Sequence, residues 1–163
     1  MTASSSRSRA EAADGGRRLD TRELESALGF WLRLAQQLDL KTFSEALAED
    51  GISQPLFAML LLIDANPGCR QADLGAVLRM RQPNLVEPIE GLIGRGLVVR
   101  RPDPADRRAQ TLALTRKGKT LLKRLRVAHE RLIGSYRERL GPEGYDQLAA
   151  LLSRFVAAGR ART

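Results

Sequence analysis

The chain has 163 residues, of which 43% are hydrophobic and only 4% aromatic, and its formal net charge is +8. This length suffices for one domain with a core, and the abundance of Leu, Ala and Arg favours a mainly helical fold. A single cysteine, Cys69, excludes an intramolecular disulfide framework, and the longest apolar run, residues 56–63, is too short to span a bilayer. The N-terminal segment lacks the apolar stretch of a secretory signal, so we expect a cytoplasmic protein with no membrane partner.

The basic excess is confined to one part of the chain. Residues 70–126 contain fourteen Lys or Arg and five Asp or Glu, a net of +9, whereas the remainder has a net of −1. Clustered Lys and Arg neutralise phosphates well, so this segment is predicted to contact a polyanion. A solvated basic face with no such partner is the alternative.

The N-terminal part is predicted to contain a tail and one long helix. Residues 1–18 are rich in Ser, Ala, Arg and Gly and are predicted to be disordered. Residues 19–50 are predicted to hold a dimerisation helix from Thr21 to Glu49, because apolar residues recur at spacings of four and three from Leu24 to Leu38. These residues cover more than one side of the helix, so we expect two contact surfaces: the body of its own subunit, and a second subunit or a ligand cavity. Gly51 ends the helix.

A winged helix-turn-helix lobe is predicted over residues 53–118. Ser53 is a candidate N-cap for a short helix at 55–66, and Asn66-Pro67-Gly68 then breaks the chain. Proline is tolerated in the first turn of a helix, so Gln82-Pro83 is a plausible helix start. We place the first helix of the helix-turn-helix at residues 71–78 and the turn at residues 79–81. The recognition helix follows from Gln82 onward.

The recognition helix has a polar face that suits base recognition. Its apolar residues, predicted to face the core, are Leu85, Ile89, Leu92 and Ile93. Its outward side chains are of the types that read base edges in a major groove, namely Arg81, Gln82, Asn84 and Glu87. They also fit the solvated side of an amphipathic helix, which is the alternative. Pro88 lies inside this helix and removes a hydrogen bond to the Asn84 carbonyl, so a mild kink is expected.

A β-hairpin, the wing, is predicted after the recognition helix. Gly94 and Gly96 end that helix, residues 97–99 begin a strand, and residues 111–114 alternate as a second strand. The loop between the strands carries two carboxylates and two arginines, so the hairpin tip projects arginine side chains. Thr115 is a candidate N-cap for the helix that follows.

The wing carries a dense and ordered series of residues. The series is Arg95-Gly96-Leu97-Val98, then Arg100 or Arg101, Asp103-Pro104-x-Asp106-Arg107-Arg108-Ala109, and Leu114-Thr115-x-x-Gly118. It resembles the wing signature of the multiple-antibiotic-resistance regulator (MarR) family, and with the flanking helices the resemblance covers roughly residues 24–158. The resemblance implies a dimeric transcription regulator in which Arg108 enters the minor groove while Asp106 braces the loop. A guanidinium on a narrow hairpin tip independently suits the negative potential of a narrow A·T-rich groove, although a loop salt bridge that only stiffens the hairpin is the alternative.

The predicted DNA contacts combine the recognition helix with the wing. Arg107 and the basic residues that flank the wing suit phosphate contacts, which set the register on double-stranded DNA without reading its sequence. The predicted DNA-binding residues are Arg70, Arg81, Gln82, Asn84, Glu87, Arg101, Asp106, Arg107, Arg108 and Arg116.

Two further amphipathic helices are predicted at the C-terminal end, over residues 119–160. The first continues to about Leu140, Gly141-Pro142 breaks the chain, and the last runs from Pro142 to about Ala158. The last helix is predicted to bury Tyr145, Leu148, Leu151, Leu152, Phe155 and Val156. Long helices at both ends exceed what a small winged core needs, so we expect them to intertwine with a second copy in a two-fold homodimer. Two recognition helices would then face a pseudo-palindromic operator, about one turn of DNA apart.

The sequence offers little for catalysis. It has one histidine and one cysteine, with no Gly-rich phosphate loop, nucleophile elbow or metal-ligand cluster, so we expect neither an enzyme nor a bound cofactor or metal. Two function classes remain: a sequence-specific repressor released by a small ligand, and an architectural protein that coats nucleic acid without reading its sequence. The polar recognition face favours the repressor, because a coating protein does not need one.

The family resemblance also implies a small-molecule effector, bound between the dimer helices and the winged lobe. The candidate ligand-binding residues, which would also serve as plain core, are Phe30, Trp31, Arg33, Leu34, Met59, Leu60, Arg126 and His129. Aromatic rings beside a guanidinium suit an aromatic acid. The stretches FWLRLAQQ and RQPNLVEPIEGL are similar to repressors of hydroxycinnamate or other aromatic-acid catabolism that respond to the aryl-CoA thioester. In that case Arg17, Arg18 and Arg22 could meet CoA phosphates.

Overall fold

The computed structural model describes residues 19–104, 106 and 108–160, so the predicted N-terminal tail and Arg107 lie outside the described residues. The chain divides into two compact units, the first ending at Gln36 and the second beginning at Gln37. The described residues form seven α-helices and a two-stranded antiparallel sheet, in the order α1 (Arg22–Glu25), α2 (Leu28–Ala46), α3 (Gln54–Ala65), α4 (Gln71–Leu78), α5 (Pro83–Gly94), β1 (Val98–Pro102), β2 (Gln110–Leu114), α6 (Arg116–Leu140) and α7 (Pro142–Arg160). This order confirms the mainly helical winged helix-turn-helix fold. In this part of the chain, no helix has both the length and the apolar character needed to cross a membrane.

The prediction of one continuous helix from Thr21 to Glu49 is wrong. The structure has two helices, α1 and α2, separated at residues 26–27, and a short 3-10 helix at Ala48–Asp50 follows α2. At the break, the Ser26 hydroxyl donates to the Glu23 carbonyl oxygen at 2.6 Å. A side-chain bond of this kind offers the backbone an alternative to the helical pattern, and apolar periodicity does not record it.

A hydrophobic core in the second unit holds α3, α5, the wing and α6 together. On α5 the residues predicted to face inward do so, with Leu85, Ile89 and Leu92 at 0% exposure. On α3 the buried side includes Phe57, which is 4% exposed. Burying a large apolar side chain contributes roughly 1.5–3 kcal/mol, so this core stabilises the lobe within a single chain. The other fully buried large residues are Met59, Leu60, Ile63, Leu97, Val98, Leu112, Leu122 and Leu125.

The junction between the wing and α6 is tightly packed. Thr115 caps α6 as predicted: its hydroxyl accepts the Gly118 N–H at 3.0 Å and donates to the Gly96 carbonyl oxygen at 2.7 Å. The Thr115 N–H donates to the Leu97 carbonyl oxygen at 3.0 Å. A Cβ atom at Gly118 would lie 2.1 Å from that same Leu97 oxygen, so the backbones can approach this closely only because residue 118 is glycine.

The C-terminal helix α7 leaves most of its apolar face exposed within the chain. Tyr145, at its start, lies 4.8 Å from the Arg137 guanidinium, and Arg137 also pairs with Asp146 at 2.9 Å. The other residues predicted to be buried are 38–55% exposed: Leu148, Leu151, Leu152, Phe155 and Val156. The prediction of their burial is therefore wrong for one chain, because an amphipathic pattern indicates that a face needs a partner and does not say where the partner is.

Candidate nucleic-acid interface

The recognition helix α5 presents a polar surface at its N-terminal end. Pro83 is the first residue of the helix, and Leu85 anchors this end in the core with 0% exposure. The four side chains predicted to read bases are all exposed, namely Arg81, Gln82, Asn84 and Glu87. α5 continues through Pro88 as one helix to Gly94. The surface therefore combines donors and acceptors suited to base edges.

The first helix of the motif, α4, packs closely against the start of α5. Gly75 allows the contact, because a Cβ atom there would lie 2.9 Å from Leu85 Cδ1. The turn between the two helices starts at Arg79, whose φ of 55° is left-handed. Leu74 is 2% exposed and packs into the core, whereas Val77 is 60% exposed. A helix this short directs only one narrow face at its neighbours.

The wing loop is braced by Asp106. β1 and β2 pair antiparallel, with Val98 opposite Leu114 at the base of the hairpin. In the loop, Asp106 Oδ1 accepts the Arg108 backbone N–H at 3.0 Å, and the Asp106 carbonyl oxygen accepts the Ala109 N–H at 2.9 Å. Asp106 therefore holds the loop through the Arg108 backbone, and Arg108 itself is exposed.

Arg70 lies immediately before α4, and its guanidinium contacts the wing. Its Nη2 and Nε donate to Asp103 Oδ2 at 2.5 and 2.9 Å. The Asp103 side chain is 11% exposed and that of Arg70 46%. The hydrogen bonds and charge of Asp103 raise the pKa of the Arg70 guanidinium above its ordinary value. Asp103 was missed as a site residue because 33 positions separate it from Arg70 and no local pattern marks their contact.

The other basic residues around the wing divide into two groups. Arg101 and Arg116, both predicted DNA contacts, are exposed. In contrast, Arg100 Nη1 donates to Glu90 Oε1 at 2.5 Å, which joins β1 to α5. The first group is accessible to phosphates, whereas the Arg100 side chain is engaged in holding the lobe together.

The first unit brings together the effector residues predicted on the first part of α2. The Phe30 and Trp31 rings meet edge to face with centroids 5.3 Å apart, and the Arg33 guanidinium lies 5.7 Å from the Phe30 centroid. Trp31 is 51% exposed, and its indole N–H donates to the Glu25 carbonyl oxygen at 2.7 Å. Leu34 is also exposed. This unit thus carries an aromatic surface with a cation beside it.

The second unit places the remaining predicted effector residues in different settings. Two of them are core residues with 0% exposure, Met59 and Leu60. Arg126 Nη2 donates to Asp64 Oδ2 at 2.8 Å, which links α6 to α3. The His129 ring is partly buried, with its centroid 5.0 Å from that of Phe57. Their role in ligand binding stays a prediction.

A polar network that the sequence did not reveal joins α2, α3 and α6. The Tyr136 hydroxyl donates to Asp39 Oδ1 at 2.9 Å and lies 2.6 Å from the Thr42 hydroxyl, while Gln54 Nε2 donates to Asp39 Oδ2 at 2.8 Å. Burial raises the pKa of Tyr136 above its ordinary value. Up to 97 positions separate the partners, so no local motif could have indicated the network.

A polar recognition helix followed by a braced hairpin defines a winged helix-turn-helix module, and comparison with known proteins extends this assignment. Residues 50–109 match the sequence model of the MarR family. A protein of Thauera aromatica, whose name describes it as a transcriptional regulatory protein for the hcr operon, is 31% identical over 128 residues, which span 78% of this chain and 77% of that protein. The chain belongs to the MarR family, whose members are transcription regulators and not enzymes.

Solved structures of the transcriptional repressor CouR are similar along most of the chain. CouR bound to a 23-mer DNA duplex superposes with a TM-score of 0.83 at 35% identity, over 86% of this chain and 99% of that one. CouR bound to p-coumaroyl-CoA superposes with a TM-score of 0.78 at 33% identity, over 85% of this chain and 98% of that one.

Proposed function

We propose that this chain is a homodimeric transcriptional repressor that binds a pseudo-palindromic DNA operator and is released by an aromatic acid or its CoA thioester. The observation that carries the proposal is the exposed polar end of α5 beside an arginine-tipped wing, on a lobe whose fold is similar to DNA-bound CouR. The localisation expected for such a regulator is the cytoplasm.

The proposed DNA contacts fall into three groups. Arg81, Gln82, Asn84 and Glu87 at the start of α5 read base edges in the major groove. Arg108 enters the adjacent minor groove, where an inserted guanidinium is favoured by a narrow A·T-rich stretch. Arg101, Arg107 and Arg116 contact phosphates, which adds affinity that depends on salt concentration.

The proposed homodimer rests on the uncovered apolar face of α7. Five large apolar side chains on this helix are 38–55% exposed, and a contiguous exposed patch of this kind marks a protein interaction surface. A second copy of the chain offers the same patch, so a two-fold contact buries both faces at once. The winged lobes, residues 53–118, are then carried by dimerisation elements at residues 19–50 and 119–160.

Operator binding is tested with duplexes selected by the protein from a randomised library. We expect binding at least ~10³-fold tighter to a selected duplex than to a scrambled duplex of the same composition at physiological salt. Sedimentation should give a dimer, with one dimer on each selected duplex. Equal affinity for the two duplexes would contradict the repressor and favour the architectural protein, and a monomer on DNA would contradict the dimer.

The proposed effector site involves the aromatic surface of the first unit. Phe30, Trp31 and Leu34 offer apolar contact to a ring, and the adjacent Arg33 suits a carboxylate or phosphate. The similarity to CouR, which is solved with p-coumaroyl-CoA, supports an aryl thioester as the ligand. The residues of the second unit that the family resemblance implies stay separate predictions, namely Met59, Leu60, Arg126 and His129. A ligand with different affinity for two dimer shapes would shift the spacing of the recognition helices and release the operator.

Trp31 provides a direct test, since it is the single tryptophan of the chain. Titration with p-coumaroyl-CoA should change its fluorescence, corrected for absorption by the thioester, and should release a selected duplex. CoA alone and free p-coumarate are the matched probes that separate the thioester from its two parts. An unchanged signal, together with undiminished operator binding, would exclude this effector class.

A further inference from the structure

The segment before the helix-turn-helix is hydrogen-bonded to the wing through its backbone. The Gly68 N–H donates to the Leu112 carbonyl oxygen at 3.2 Å, and the Leu112 N–H donates to the Cys69 carbonyl oxygen at 2.8 Å. Arg70 then forms an isolated antiparallel bridge with Thr111. Backbone pairing therefore continues from β2 to the residue that precedes α4.

The Arg70 side chain extends this connection to the other strand of the wing. Its guanidinium donates twice to Asp103, which follows directly on β1 and is almost completely buried. The Asp103 N–H in turn donates to the Ala109 carbonyl oxygen at 3.1 Å, across the base of the loop that carries Arg108. The ion pair between Arg70 and Asp103 thus links the start of the helix-turn-helix to the base of the wing loop.

Arg70 is fixed on its other side to α4. The Arg70 backbone N–H donates to Asp73 Oδ2 at 2.6 Å, so Arg70 is the N-cap residue of that helix. The two hydrogen bonds from the Arg70 guanidinium converge on Asp103 Oδ2, so they define direction as well as distance. Removing Arg70 would take this cation away from the almost buried Asp103 carboxylate. Arg70 therefore has one defined geometry toward the helix and one toward the wing.

We propose that Arg70 and Asp103, together with the backbone bonds of residues 68–70, form a clamp that fixes the direction of the wing relative to the helix-turn-helix, so that Arg70 and Asp103 act as positioning residues for DNA recognition. The proposal rests on the proposed DNA-binding function. It assigns Arg70 a role through Asp103, in place of a direct phosphate contact. It also assigns a function to Asp103, an acidic side chain within a basic surface.

The sign of the effect of Asp103→Asn separates the two roles of Arg70. If Arg70 bound phosphate, removing the neighbouring negative charge would tighten binding to a selected duplex, and Arg70→Gln would lower the salt dependence by about one phosphate contact. The clamp predicts that Asp103→Asn and Arg70→Gln each weaken binding, by about tenfold, and that the double variant is no weaker than the worse single variant. The loss of affinity in these variants should be smaller on duplexes in which G·C pairs replace the A·T pairs under the wing. A misaligned wing loses its minor-groove contact, and that contact is already weak on such duplexes.

The matched control is Asp64→Asn. Asp64 pairs with Arg126 at 2.8 Å between α3 and α6, so the substitution removes the same charge from an ion pair between two helices, neither partner of which belongs to the wing. Asp64→Asn should leave both operator affinity and wing hydrogen exchange at the wild-type level. A loss of affinity equal to that of Asp103→Asn would show that any such charge change suffices, and would overturn the clamp.

Hydrogen exchange of the free protein tests the clamp without DNA. Asp103→Asn should accelerate exchange at Leu112 and Gly68, while the buried helices of the core keep wild-type protection. Unchanged exchange at these amides, or tighter operator binding by Asp103→Asn, overturns the clamp while the repressor stands. If the wild-type protein bound selected and scrambled duplexes equally, the repressor would fail, and this exchange measurement would still decide whether the clamp exists.

Discussion

The winged lobe and the C-terminal helix α7 use their apolar residues in opposite ways. In the lobe, Leu85, Ile89 and Leu92 are completely buried and the polar side chains of the same helix face outward. On α7, Leu151 and Phe155 are 54% and 55% exposed. Both helices are amphipathic, so the difference does not lie in their patterns. The apolar residues of the lobe pack against other residues of the same chain. The apolar face of α7 is exposed in one chain, and we propose that it packs against a second copy.

This difference separates stability from assembly. Substitutions in the lobe should change the free energy of unfolding or the contact with DNA directly. Substitutions on the exposed face of α7 should change the association of subunits. Operator binding should then change because the subunits associate less or more strongly. Single substitutions in each region therefore distinguish the two roles.

Gly118→Ala should destabilise the lobe most. The new Cβ atom would lie 2.1 Å from the Leu97 carbonyl oxygen, so the backbone must shift at the junction of the wing and α6. We expect a loss of about 3 kcal/mol or more in the free energy of unfolding, measured by urea denaturation. The control is Gly91→Ala on α5, where a Cβ atom meets nothing within 4 Å and the helix should gain roughly 0.5–1 kcal/mol. Equal effects of the two substitutions would show that the junction is not tightly packed.

Phe155→Glu should convert the dimer to a monomer while the chain stays helical. A carboxylate placed in an apolar contact loses its hydration, and loss of the two-site contact should weaken operator binding by about 100-fold. Sedimentation and circular dichroism measure the two properties. Ala150→Glu introduces the same charge on the opposite side of the same helix and should leave the dimer intact. A dimer that survives Phe155→Glu would show that this face is not the interface.

Arg108→Ala should weaken operator binding by roughly 1–3 kcal/mol, as for the loss of one good groove contact, and leave the fold unchanged. The residue is exposed and its backbone N–H, which Asp106 holds, is retained in the variant. Fluorescence anisotropy with a selected duplex measures the change. Arg131→Ala removes the same charge from the exposed side of α6 and should have little effect. Unchanged affinity of the Arg108 variant would mean that the wing tip does not enter the groove.

Thr115→Ala should have the smallest effect, a loss of about 1 kcal/mol in the free energy of unfolding, because the N-cap bond to Gly118 is lost. Operator affinity should change only in proportion to the folded fraction. Thr115→Ser keeps the hydroxyl and should retain most of the stability. A serine variant as unstable as the alanine variant would assign the effect to packing of the threonine methyl group.

The parts of the fold that could be predicted are those encoded by near neighbours in the chain. Gly96, Thr115 and the Gly141-Pro142 pair mark element ends within a few residues, and apolar spacing gives the inward face of α5. The wing followed from a short apolar run and a short alternating run on either side of a turn-rich loop. These signals are local, and the structure agrees with them.

Most of what could not be predicted depends on partners far apart in sequence. The engagement of Arg70 by Asp103 and the network around Tyr136 join residues 33 and up to 97 positions apart. The break of the N-terminal helix also escaped prediction, because the side-chain bond of Ser26 to the backbone leaves no trace in hydrophobic periodicity.

The sequence by itself determined the order of the elements from α3 onward, the inward face of the recognition helix and the presence of charge at the wing, because each depends on residue type and spacing within a few turns. Only the tertiary structure decided which arginines stay accessible, which carboxylate is buried against one of them, and which apolar face is left uncovered. The physical reason is that an amphipathic pattern or a charged side chain specifies the kind of partner it needs, while the packing of distant segments determines whether that partner lies within the chain.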